Sequence, residues 1–437
     1  MKTRSVRLYI PSTLASGIES EDVCPVCLGK KKMLLSIELM ERHSKKDENT
    51  VLISPELARH LGLPGSMRLN ARTLGKTIRL GPVVGILARP FNKQRHSFGP
   101  QDRFLRSLLM RMKELDGLAF VFSQQNIDLE RKRIHGYYLS RDMESSWIRH
   151  WFPLPDVYYN RYFPGANVLR SRDLAIMLSR YGVKSFNSAV GNKWNVFRQL
   201  NKERDIAGHL PETRLMVSPI SLASLLNKYS GVYVKPANGC KGRAISRVTR
   251  KQGRYLVKNN QDRSGKILGS VQEVYSWLRS ANPNEIMLAQ QAIKAPKGQN
   301  HFDVRVMLQK DRYNHWAITG IAAREGVNGH VTTNLHTGGK AASLEKVLQA
   351  RNMSDDEIDG IVEEIVRLGL RIGRTLEKRS SALGDLGLDF IIDEKGKVWF
   401  LEVNPKPGRR AFSYISKEIR KIVVSRPMDY ATYLAGF

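Results

Sequence analysis

The stretch FIIDEKGKVWFLEVNPKPG, residues 390–408, predicts two apolar strands around a tight turn. The second strand runs into a carboxylate and an amide, Glu402 and Asn404, and Asp389 stands just before the first apolar run. Charged side chains are rarely buried without a partner, so oxygen donors on strands this apolar call for an explanation. This hairpin is the starting point for predicting both the fold and the chemistry of the chain.

A four-residue hairpin loop over residues 393–396 pairs Asp389 with Phe400 across the two strands. Side chains alternate between the two faces of a strand, so each face can be listed from this register. The predicted core face carries Leu388, Phe390, Ile392, Trp399, Leu401 and Val403. The opposite face carries Asp389, Ile391, Val398, Phe400, Glu402 and Asn404.

In this register Glu402 is the diagonal neighbour of Asp389, and such diagonals lie about 7–8 Å apart. Asn404 is two residues further on and points the same way. Three oxygen donors on one face suit a hard cation such as Mg²⁺. Two alternatives stay open here. Glu402 and Asn404 could cap the strand end in solvent, and a bulge at Gly396 would shift the register and separate the donors.

A second stretch, VYVKPANGCKGRAI at residues 232–245, offers groups that suit a polyphosphate. Lys235 ends a β-type run, where a strand can fix its ammonium group. Gly239 and Gly242 allow a loop to approach closely and point N–H groups at phosphate oxygens, and Lys241 adds charge. The alternative is a basic surface hairpin, because the spacing matches neither the P-loop nor G-x-G-x-x-G.

Two further segments carry candidate ligand contacts. FDVRVMLQ, residues 302–309, places Asp303 and Arg305 on one strand face, and an arginine there needs an anionic partner. A structural salt bridge would explain the same pair. TTNLHTGG, residues 332–339, supplies Asn334 in a polar loop of the kind that contacts ligands.

Changes of pattern along the chain predict three units. Residues 1–80 carry short strand candidates and form a small β-rich domain. Strand–helix–strand alternation predicts a parallel α/β layer over residues 81–185, beginning with GPVVGILARP. From about residue 186 to 437 the pattern changes again, with a helix near NKWNVFRQLN followed by strands such as GVYVKP and FDVRVMLQ.

Two helix starts are predicted from local chemistry. Ser54 is an N-cap with Pro55 at the first helical position, and Gly62 marks the end of that helix. Ser354 and Glu357 have the spacing of a capping box at the start of a long amphipathic helix.

The charge balance is strongly basic. Lys plus Arg is 71 and Asp plus Glu is 41, giving a formal net charge of +30. Such an excess attracts polyanions such as nucleotides, nucleic acid, anionic lipid or an acidic polymer, and does not choose among them. General solubility with loose nonspecific binding explains the same number. No RNA- or DNA-binding motif occurs, so a specific nucleic-acid partner is not expected.

The cysteine content and the lack of long apolar stretches predict the cellular location. Three cysteines argue against a disulfide scaffold. Cys24 and Cys27 form one C-x-x-C, but a structural zinc site needs about four ligands and no second pair exists, so ordinary thiols are favoured. The N-terminus has no apolar signal-peptide core, and no stretch reaches the roughly 18 apolar residues of a membrane span. The expected location is therefore intracellular.

The pieces above, in this order, resemble the ATP-grasp superfamily over about residues 186–410. The segments DVRV, TTNLHTGG, LGLDFI and FLEVNPKPG are similar to glutamate-adding ligases that act on a ribosomal protein, and to D-alanine–D-alanine ligases. With its N-terminal β unit and LGPVVGIL, the whole chain most resembles the YheC/YheD family of spore-coat-associated ATP-grasp proteins. This resemblance implies an ATP-grasp fold of two α+β lobes, preceded by a parallel α/β pre-ATP-grasp domain and the β-rich domain.

The resemblance also implies roles for individual residues. Lys193 of GNKWNV matches the first nucleotide-binding lysine, and Lys235 matches the second, which contacts adenine and the α-phosphate. The phosphate-covering flap and the adenine-and-ribose hinge match Asn238, Gly239, Lys241, Gly242, Gln290, Gln291 and Ile293. The metal ligands match Asp389, Glu402 and Asn404, and residues near the γ-phosphate and acceptor match Arg305 and Asn334.

Two departures from the family pattern bear on catalysis. The hinge carries Gln290 and Gln291 where glutamate is frequent, which predicts weaker ribose binding. D-alanine ligases place an arginine two residues before the first metal ligand, where this chain has Gly387. Transition-state charge is then left to Arg305 and Arg324.

The implied chemistry is carboxylate–amine ligation through an acyl phosphate, with ATP and Mg²⁺, two ions being expected. The acid and amine are not named by the sequence; an acidic peptide or polymer and spore-coat proteins are the candidate partners. Two rivals remain: an ATP-binding structural or assembly protein without turnover, and a polyanion-binding module. The location implied is the cytoplasm or the spore coat.

Overall fold

The computed structural model describes residues 7–15, 17–40, 49–139, 146–162, 171–187, 190–238, 244–259, 264–294, 296, 302–326, 340–380 and 382–437. Four of the predicted site residues lie outside these ranges. They are Gly239, Lys241, Gly242 and Asn334.

The N-terminal unit is a curled sheet with one short helix. Its elements are β1 (Arg7–Pro11), β2 (Val23–Leu28), β3 (Lys31–Met40), β4 (Thr50–Ile53), α1 (Pro55–Leu61), β5 (Met67–Leu74) and β6 (Thr77–Gly81). The strand order is β1–β3–β2–β6–β5–β4, and β1 also contacts β4, so the sheet closes toward a barrel. The start and end predicted for α1 are confirmed: Ser54 accepts from Leu57 N–H, Pro55 begins the helix, and Gly62 follows with φ 75°.

The C-x-x-C pair lies on β2 with its two side chains on opposite faces. Cys24 is buried in the barrel, and burial raises the pKa of its thiol, whereas Cys27 is only partly buried on the other face. Side chains three residues apart on a strand point to opposite faces of the sheet, so Cys24 and Cys27 cannot bind the same metal ion.

The second unit is a mixed sheet with a parallel centre. Its elements are β7 (Val83–Leu87), α2 (Asp102–Glu114), β8 (Leu118–Phe122), β9 (Ile127–Asp128), β10 (Arg133–Leu139), β11 (Trp147–Pro153), β12 (Val157–Asn160), α3 (Ser171–Ser179) and β13 (Lys184–Phe186). The order is β11–β10–β8–β7–β12–β13, with β9 beside β10. The strands β7, β8, β12 and β13 are parallel as predicted, but β10 and β11 form an antiparallel hairpin at one edge.

The N-terminal lobe of the third unit is an antiparallel sheet covered on one face. Two helices, α4 (Lys193–Leu200) and α5 (Arg204–Ala207), precede this lobe and pack Val196, Leu200 and Ile206 into the core of the C-terminal lobe. The elements of the N-terminal lobe itself are β14 (Thr213–Leu215), α6 (Pro219–Lys228), β15 (Val232–Pro236), β16 (Ser246–Lys251), β17 (Arg254–Asn259), β18 (Lys266–Leu268), α7 (Val271–Ser280) and β19 (Met287–Gln291). The order is β14–β19–β15–β16–β17–β18. An apolar cluster that includes Leu225, Val232, Val234 and Leu278 packs α6 and α7 on one face, which leaves the opposite face for the cleft.

The C-terminal lobe is a second antiparallel sheet, backed by a long helix. Its elements are β20 (Phe302–Lys310), β21 (Trp316–Glu325), β22 (Lys340–Ala342), α8 (Leu344–Gln349), α9 (Asp355–Glu377), β23 (Asp385–Ile392), β24 (Val398–Asn404) and α10 (Lys417–Ala435). The order is β22–β21–β20–β23–β24. The predicted capping box of α9 is confirmed, because Ser354 accepts from Glu357 N–H and the Glu357 carboxylate accepts from Ser354 N–H. None of the helices in the described ranges combines the length and apolar content that crossing a membrane requires.

Apolar clusters and one helix join the units. The barrel core continues into the second sheet through Val83, Phe120 and Leu154. The helix α10 leaves the C-terminal lobe and packs against α2, β7 and β12, where Tyr430 and Met428 join the core of the second unit. The end of the chain therefore braces the lobe that carries the opening hairpin.

Candidate functional site

The opening hairpin has a different register from the one predicted. The turn spans residues 393–397, Phe390 pairs with Phe400, and Asp389 pairs with Glu402. The ladder shifts between Asp389 and Phe390, so Leu401 is an extra residue on β24, a β-bulge. The predicted pairing of Asp389 with Phe400 is wrong, and so is the four-residue loop.

The bulge changes which side chains share a face. Val398 and Phe400 lie in the core, where the Phe390 and Phe400 rings pack with centroids 5.6 Å apart. Trp399 and Leu401, predicted for the core, are only partly buried, and the Trp399 indole donates to Asp393. Since Leu401 adds one residue, Glu402 still reaches the face of Asp389, as a direct cross-strand neighbour rather than a diagonal one.

The predicted donor set fits a hard cation. Asp389 pairs with Glu402 across β23 and β24, and two residues further along β24 Asn404 pairs with Gly387. Residues two apart on a strand point to the same face, so Glu402 and Asn404 share a face. The Asn404 side-chain oxygen accepts from Lys406 N–H at 2.9 Å, which fixes the orientation of the amide. Two carboxylates and an amide oxygen are ligands that Mg²⁺ prefers. The described residues contain no group of three or more Asp, Glu, His and Cys side chains placed to hold a metal, so an amide donor is needed to complete this set.

Two arginines surround the Asp389 carboxylate. Arg305 donates from Nε to Oδ1 at 2.5 Å and from Nη2 to Oδ2 at 3.0 Å, which supplies the anionic partner predicted for it. Arg324 approaches Oδ2 at 3.1 Å and is itself held by Asp303 at 2.6 and 2.7 Å. Burial alone would raise the pKa of Asp389, but the two guanidinium groups hold it below its ordinary value.

Lys235 faces these carboxylates from the other lobe. Its ammonium group is buried at the end of β15 and donates to the Gln290 side-chain oxygen at 2.8 Å. Burial lowers the pKa of Lys235 to about 8, with opposing attractions from Glu402 and Asp389 and a further lowering by Lys193. Because Coulombic interactions weaken with distance, these shifts mean that Lys235 lies near Lys193, Glu402 and Asp389.

Backbone contacts bring the two predicted lysines together. The helix α4 begins at Lys193, where Asn192 caps it by accepting from Asn195 N–H at 2.9 Å. The Lys193 N–H donates to Ala237 O at 3.1 Å, which ties this helix start to the end of β15. Asn238 follows directly and is exposed.

The two hinge glutamines point in different directions. Gln290 lies on the cleft face, between Lys235 and the Thr213 hydroxyl, to which it donates at 2.9 Å. Gln291 accepts from Glu212 N–H at 3.2 Å and lines a cavity of about 430 Å³ on the other side of β19. Ile293 lines a second hollow of about 320 Å³ beside the first. Asp389 and Glu402 line neither hollow, and of the two glutamines it is Gln290 that contacts Lys235.

Two basic residues next to the predicted site residues, one across the sheet and one along the chain, were not anticipated from the sequence. Arg247 on β16 pairs with Tyr233 on the face that carries Lys235, and its buried Nε has no hydrogen-bond partner in the described part of the chain. Lys406 follows Asn404 by two residues, and burial, with Arg161 beside it, lowers its pKa to about 8. Tyr233 and Lys235 share a strand face by alternation, so Arg247 could have been assigned to that face if its pairing with Tyr233 had been known.

A buried junction supports the strand that carries Asp389. Asp385, at the start of β23, accepts from Gln309 at 2.8 Å, from Arg409 at 2.6 Å and from the hydroxyl of Tyr159. Burial raises the pKa of Tyr159 to about 12, so this hydroxyl stays a donor. The contact links β12 of the second unit directly to β23.

Comparisons with known proteins agree on one family. The family described as YheC/D like ATP-grasp matches residues 182–434. The endospore coat-associated protein YheD of Bacillus subtilis (strain 168) is 29% identical over 99% of this chain and 95% of its own length. YheC of the same organism is 23% identical over 66% of this chain and 81% of its own. Among solved structures, the VanG D-Ala:D-Ser ligase of Enterococcus faecalis is 11% identical over 81% of this chain and 99% of its own, with a TM-score of 0.49.

Proposed function

Because the chain belongs to the YheC/D-like ATP-grasp family, we propose that it binds ATP with Mg²⁺ and joins a carboxylate to an amine through an acyl phosphate. One observation carries the proposal. Lys235 of the N-terminal lobe lies near enough to Glu402 and Asp389 of the C-terminal lobe, and to Lys193, for their charges to shift its pKa. Cations from one lobe and oxygen donors from the other are what a metal-bound triphosphate requires.

We assign metal binding to the oxygen donors and phosphate binding to the basic residues. Asp389, Glu402 and Asn404 would hold Mg²⁺, which neutralises charge on the phosphates when bound. Lys235 at the end of β15, and Lys193 at the start of α4, would hold the phosphates. Arg305, which carries two hydrogen bonds to the Asp389 carboxylate, would clamp the γ-phosphate when nucleotide is bound.

The reaction has two substitutions. A substrate carboxylate oxygen bonds to the γ-phosphorus, the bond to the bridging oxygen breaks, and ADP leaves. An amine then bonds to the acyl carbon, loses a proton, and releases phosphate. The acyl phosphate would be lost to water in an open site, so closure of the two lobes has to exclude solvent.

The relatives suggest a setting for this chemistry. YheD and YheC carry the name endospore coat-associated protein, and we extend that association to this chain. The formal charge of +30 favours an acidic peptide or polymer as the acceptor.

A second candidate is an ATP-binding assembly protein without turnover. Gly387 favours it, because D-alanine ligases place an arginine at that position to stabilise the transition state. A Cβ at residue 387 would lie 2.8 Å from the Pro407 Cβ and 3.4 Å from Arg305 Nη1, so Arg305 occupies part of that space instead.

The binding step is tested by Glu402→Gln, which removes the charge and keeps the shape. We expect Mg·ATP to bind at least about tenfold more weakly than to the wild type, measured by calorimetry, as for other changes around metal ligands. The matched control is Glu394→Gln, an exposed residue in the turn of the same hairpin. Unchanged Mg·ATP binding by the Glu402 variant, folded as the wild type, would refute the site.

The catalytic step is tested by ADP release from the wild-type protein across a panel of acids and amines, including acidic peptides. Release that needs both an acid and an amine supports ligation. Tight Mg·ATP binding with no ADP release across the panel would favour the assembly role instead.

A further inference from the structure

The face of the C-terminal sheet that points into the cleft carries a closed ion network. Asp303 pairs with Arg324 across β20 and β21, and Arg305 pairs with Asp389 across β20 and β23. All four residues are between 5% and 9% exposed. The network is electrically balanced, with two carboxylates and two guanidinium groups, and it includes one predicted metal ligand.

Both oxygens of Asp389 are already engaged. Oδ1 accepts from Arg305 at 2.5 Å, and Oδ2 accepts from Arg305 at 3.0 Å and lies 3.1 Å from Arg324 Nη2. A divalent cation at this carboxylate would meet two buried positive charges, which repel it strongly where water does not screen them. Metal and arginines therefore compete for Asp389.

Nucleotide phosphates change that competition. They offer Arg305 another anionic partner, and arginine binds phosphate as readily as carboxylate. Arg324 has a different fate, because Asp303 holds its Nε at 2.6 Å and its Nη2 at 2.7 Å. Arg324 can give up its single contact with Asp389 and remain paired, so the exchange leaves no buried charge without a partner.

We propose that Arg324, anchored by Asp303, is a positioning residue that keeps Asp389 from binding a metal until a nucleotide is present. The proposal rests on the proposed function, since the nucleotide is what releases Asp389. It makes metal and nucleotide binding cooperative. Because such coupling is reciprocal, each raises the affinity for the other by the same factor, about 5- to 150-fold in typical cases.

The test uses the full chain and Mn²⁺ as the probe, with free Mn²⁺ followed by electron paramagnetic resonance. Wild-type protein without nucleotide should bind Mn²⁺ about tenfold or more weakly than the double variant D303N/R324Q, in which Asp389 keeps only Arg305. The double variant preserves net charge, and D303N also preserves side-chain size. The matched control is R7Q/E38Q, which removes an ion pair from the barrel and should bind Mn²⁺ like the wild type.

Equal Mn²⁺ affinity in the wild type and in folded D303N/R324Q would overturn the proposal, because a merely structural network would lower stability without moving this affinity. If the double variant does not fold, Mn²⁺ binding by the wild-type protein with and without ADP is the test. Mn²⁺ binding that is equally tight with and without ADP, after correction for metal complexed in solution, also overturns it. Failure of the wild type to bind any adenine nucleotide with metal would instead reject the proposed function.

Discussion

The ammonium group of Lys235 is buried at the end of a strand and donates to the Gln290 amide oxygen at 2.8 Å. Burial without a carboxylate in direct contact explains why its pKa falls to about 8 from an ordinary value near 10.5. A glutamate at position 290 would hold this lysine charged more firmly. The glutamine therefore makes the charge of Lys235 sensitive to mildly alkaline solution.

Nucleotide affinity should fall as the pH rises through about 8. The charged form of Lys235 attracts phosphate and the neutral form does not, so affinity is highest below the pKa and declines above it. Between about pH 7 and about pH 9.5 the loss should reach at most about thirtyfold, measured as the dissociation constant of Mg·ATP.

Lys235→Arg is the control for this prediction, because a guanidinium group keeps its charge throughout that range. Its pH dependence should be much flatter than that of the wild type. A wild-type affinity that does not change with pH would contradict the assigned role.

Gly387→Ala should damage the site more than the small added group suggests. The new Cβ would lie 2.8 Å from the Pro407 Cβ and in contact with Arg305 Nη1 at 3.4 Å, so either Pro407 or the strand must shift. We expect a loss of about 1–3 kcal/mol in the free energy of unfolding, typical of overpacking, together with weaker Mg·ATP binding. Urea unfolding and calorimetry measure the two effects, and wild-type values in both would show that the contact is loose.

The shared face of the three predicted donors was predicted from a partly wrong register, and their role as metal ligands stays a prediction. Alternation along a strand placed Asp389, Glu402 and Asn404 on one face, and that face exists. The pairing was wrong because the bulge at Leu401 has no glycine or other local signal. It depends on Phe400 packing against Phe390, a contact that the local sequence does not specify.

The helix α9 provides a matched pair of glycines. Gly360 is exposed, and a Cβ there would meet no atom within 4 Å outside the helix itself, whereas at Gly373 it would lie 2.6 Å from Leu308 Cδ2. Gly360→Ala should raise the free energy of unfolding by up to about 1 kcal/mol, because alanine suits a helix better than glycine.

Gly373→Ala on the same helix should instead lower the free energy of unfolding by about 1–3 kcal/mol, since β20 cannot move away freely. Urea unfolding of both variants against the wild type checks the pair. If the two substitutions had the same sign, packing of α9 on the sheet would not decide their effect.

Elements whose limits depend on nearby residues were predictable. Ser54, Gly62, Ser354 and Glu357 act locally, and the helix ends they indicate are found. The antiparallel hairpin of β10 and β11 was missed, because pairing partners are chosen by the whole sheet and the parallel pattern of β7 and β8 dominated the prediction.

Across the molecule, α10 links the second unit to the strand that carries Asp389. Tyr430 fills the space above Gly384, where a Cβ would lie only 2.2 Å from the tyrosine ring, and it packs edge-on against Phe186 with ring centroids 5.2 Å apart. Asp429 on the same helix accepts from Arg111 of α2 at 2.9 Å. A distortion of α10 should therefore displace the start of β23.

Tyr430→Ala should cost about 3–5 kcal/mol in the free energy of unfolding, as expected for a large buried aromatic side chain. Tyr433→Ala is the control on the same helix, because Tyr433 is 41% exposed and should change stability by less than about 1 kcal/mol. Both are read from chemical unfolding curves. Similar losses in the two variants would mean that α10 is not anchored through Tyr430.

The arrangement of the units was predictable only through the family resemblance. Hydrophobic patterns indicated the strands of each sheet but not that Lys235 would face Glu402 across a cleft, because contacts between lobes leave no periodic signal in the sequence. The divergence of Gln290 and Gln291 follows from alternation alone and could have been foreseen.

The apolar cluster that crosses from the barrel into the second sheet limits how this architecture can be rearranged. Val83 and Leu154 belong to the second unit by sequence, yet they complete the interior of the first. A barrel transplanted onto another protein would carry an open apolar seam unless its new neighbour supplied equivalent side chains. We expect the barrel and the α/β sheet to have been inherited together, as one building block of the lineage.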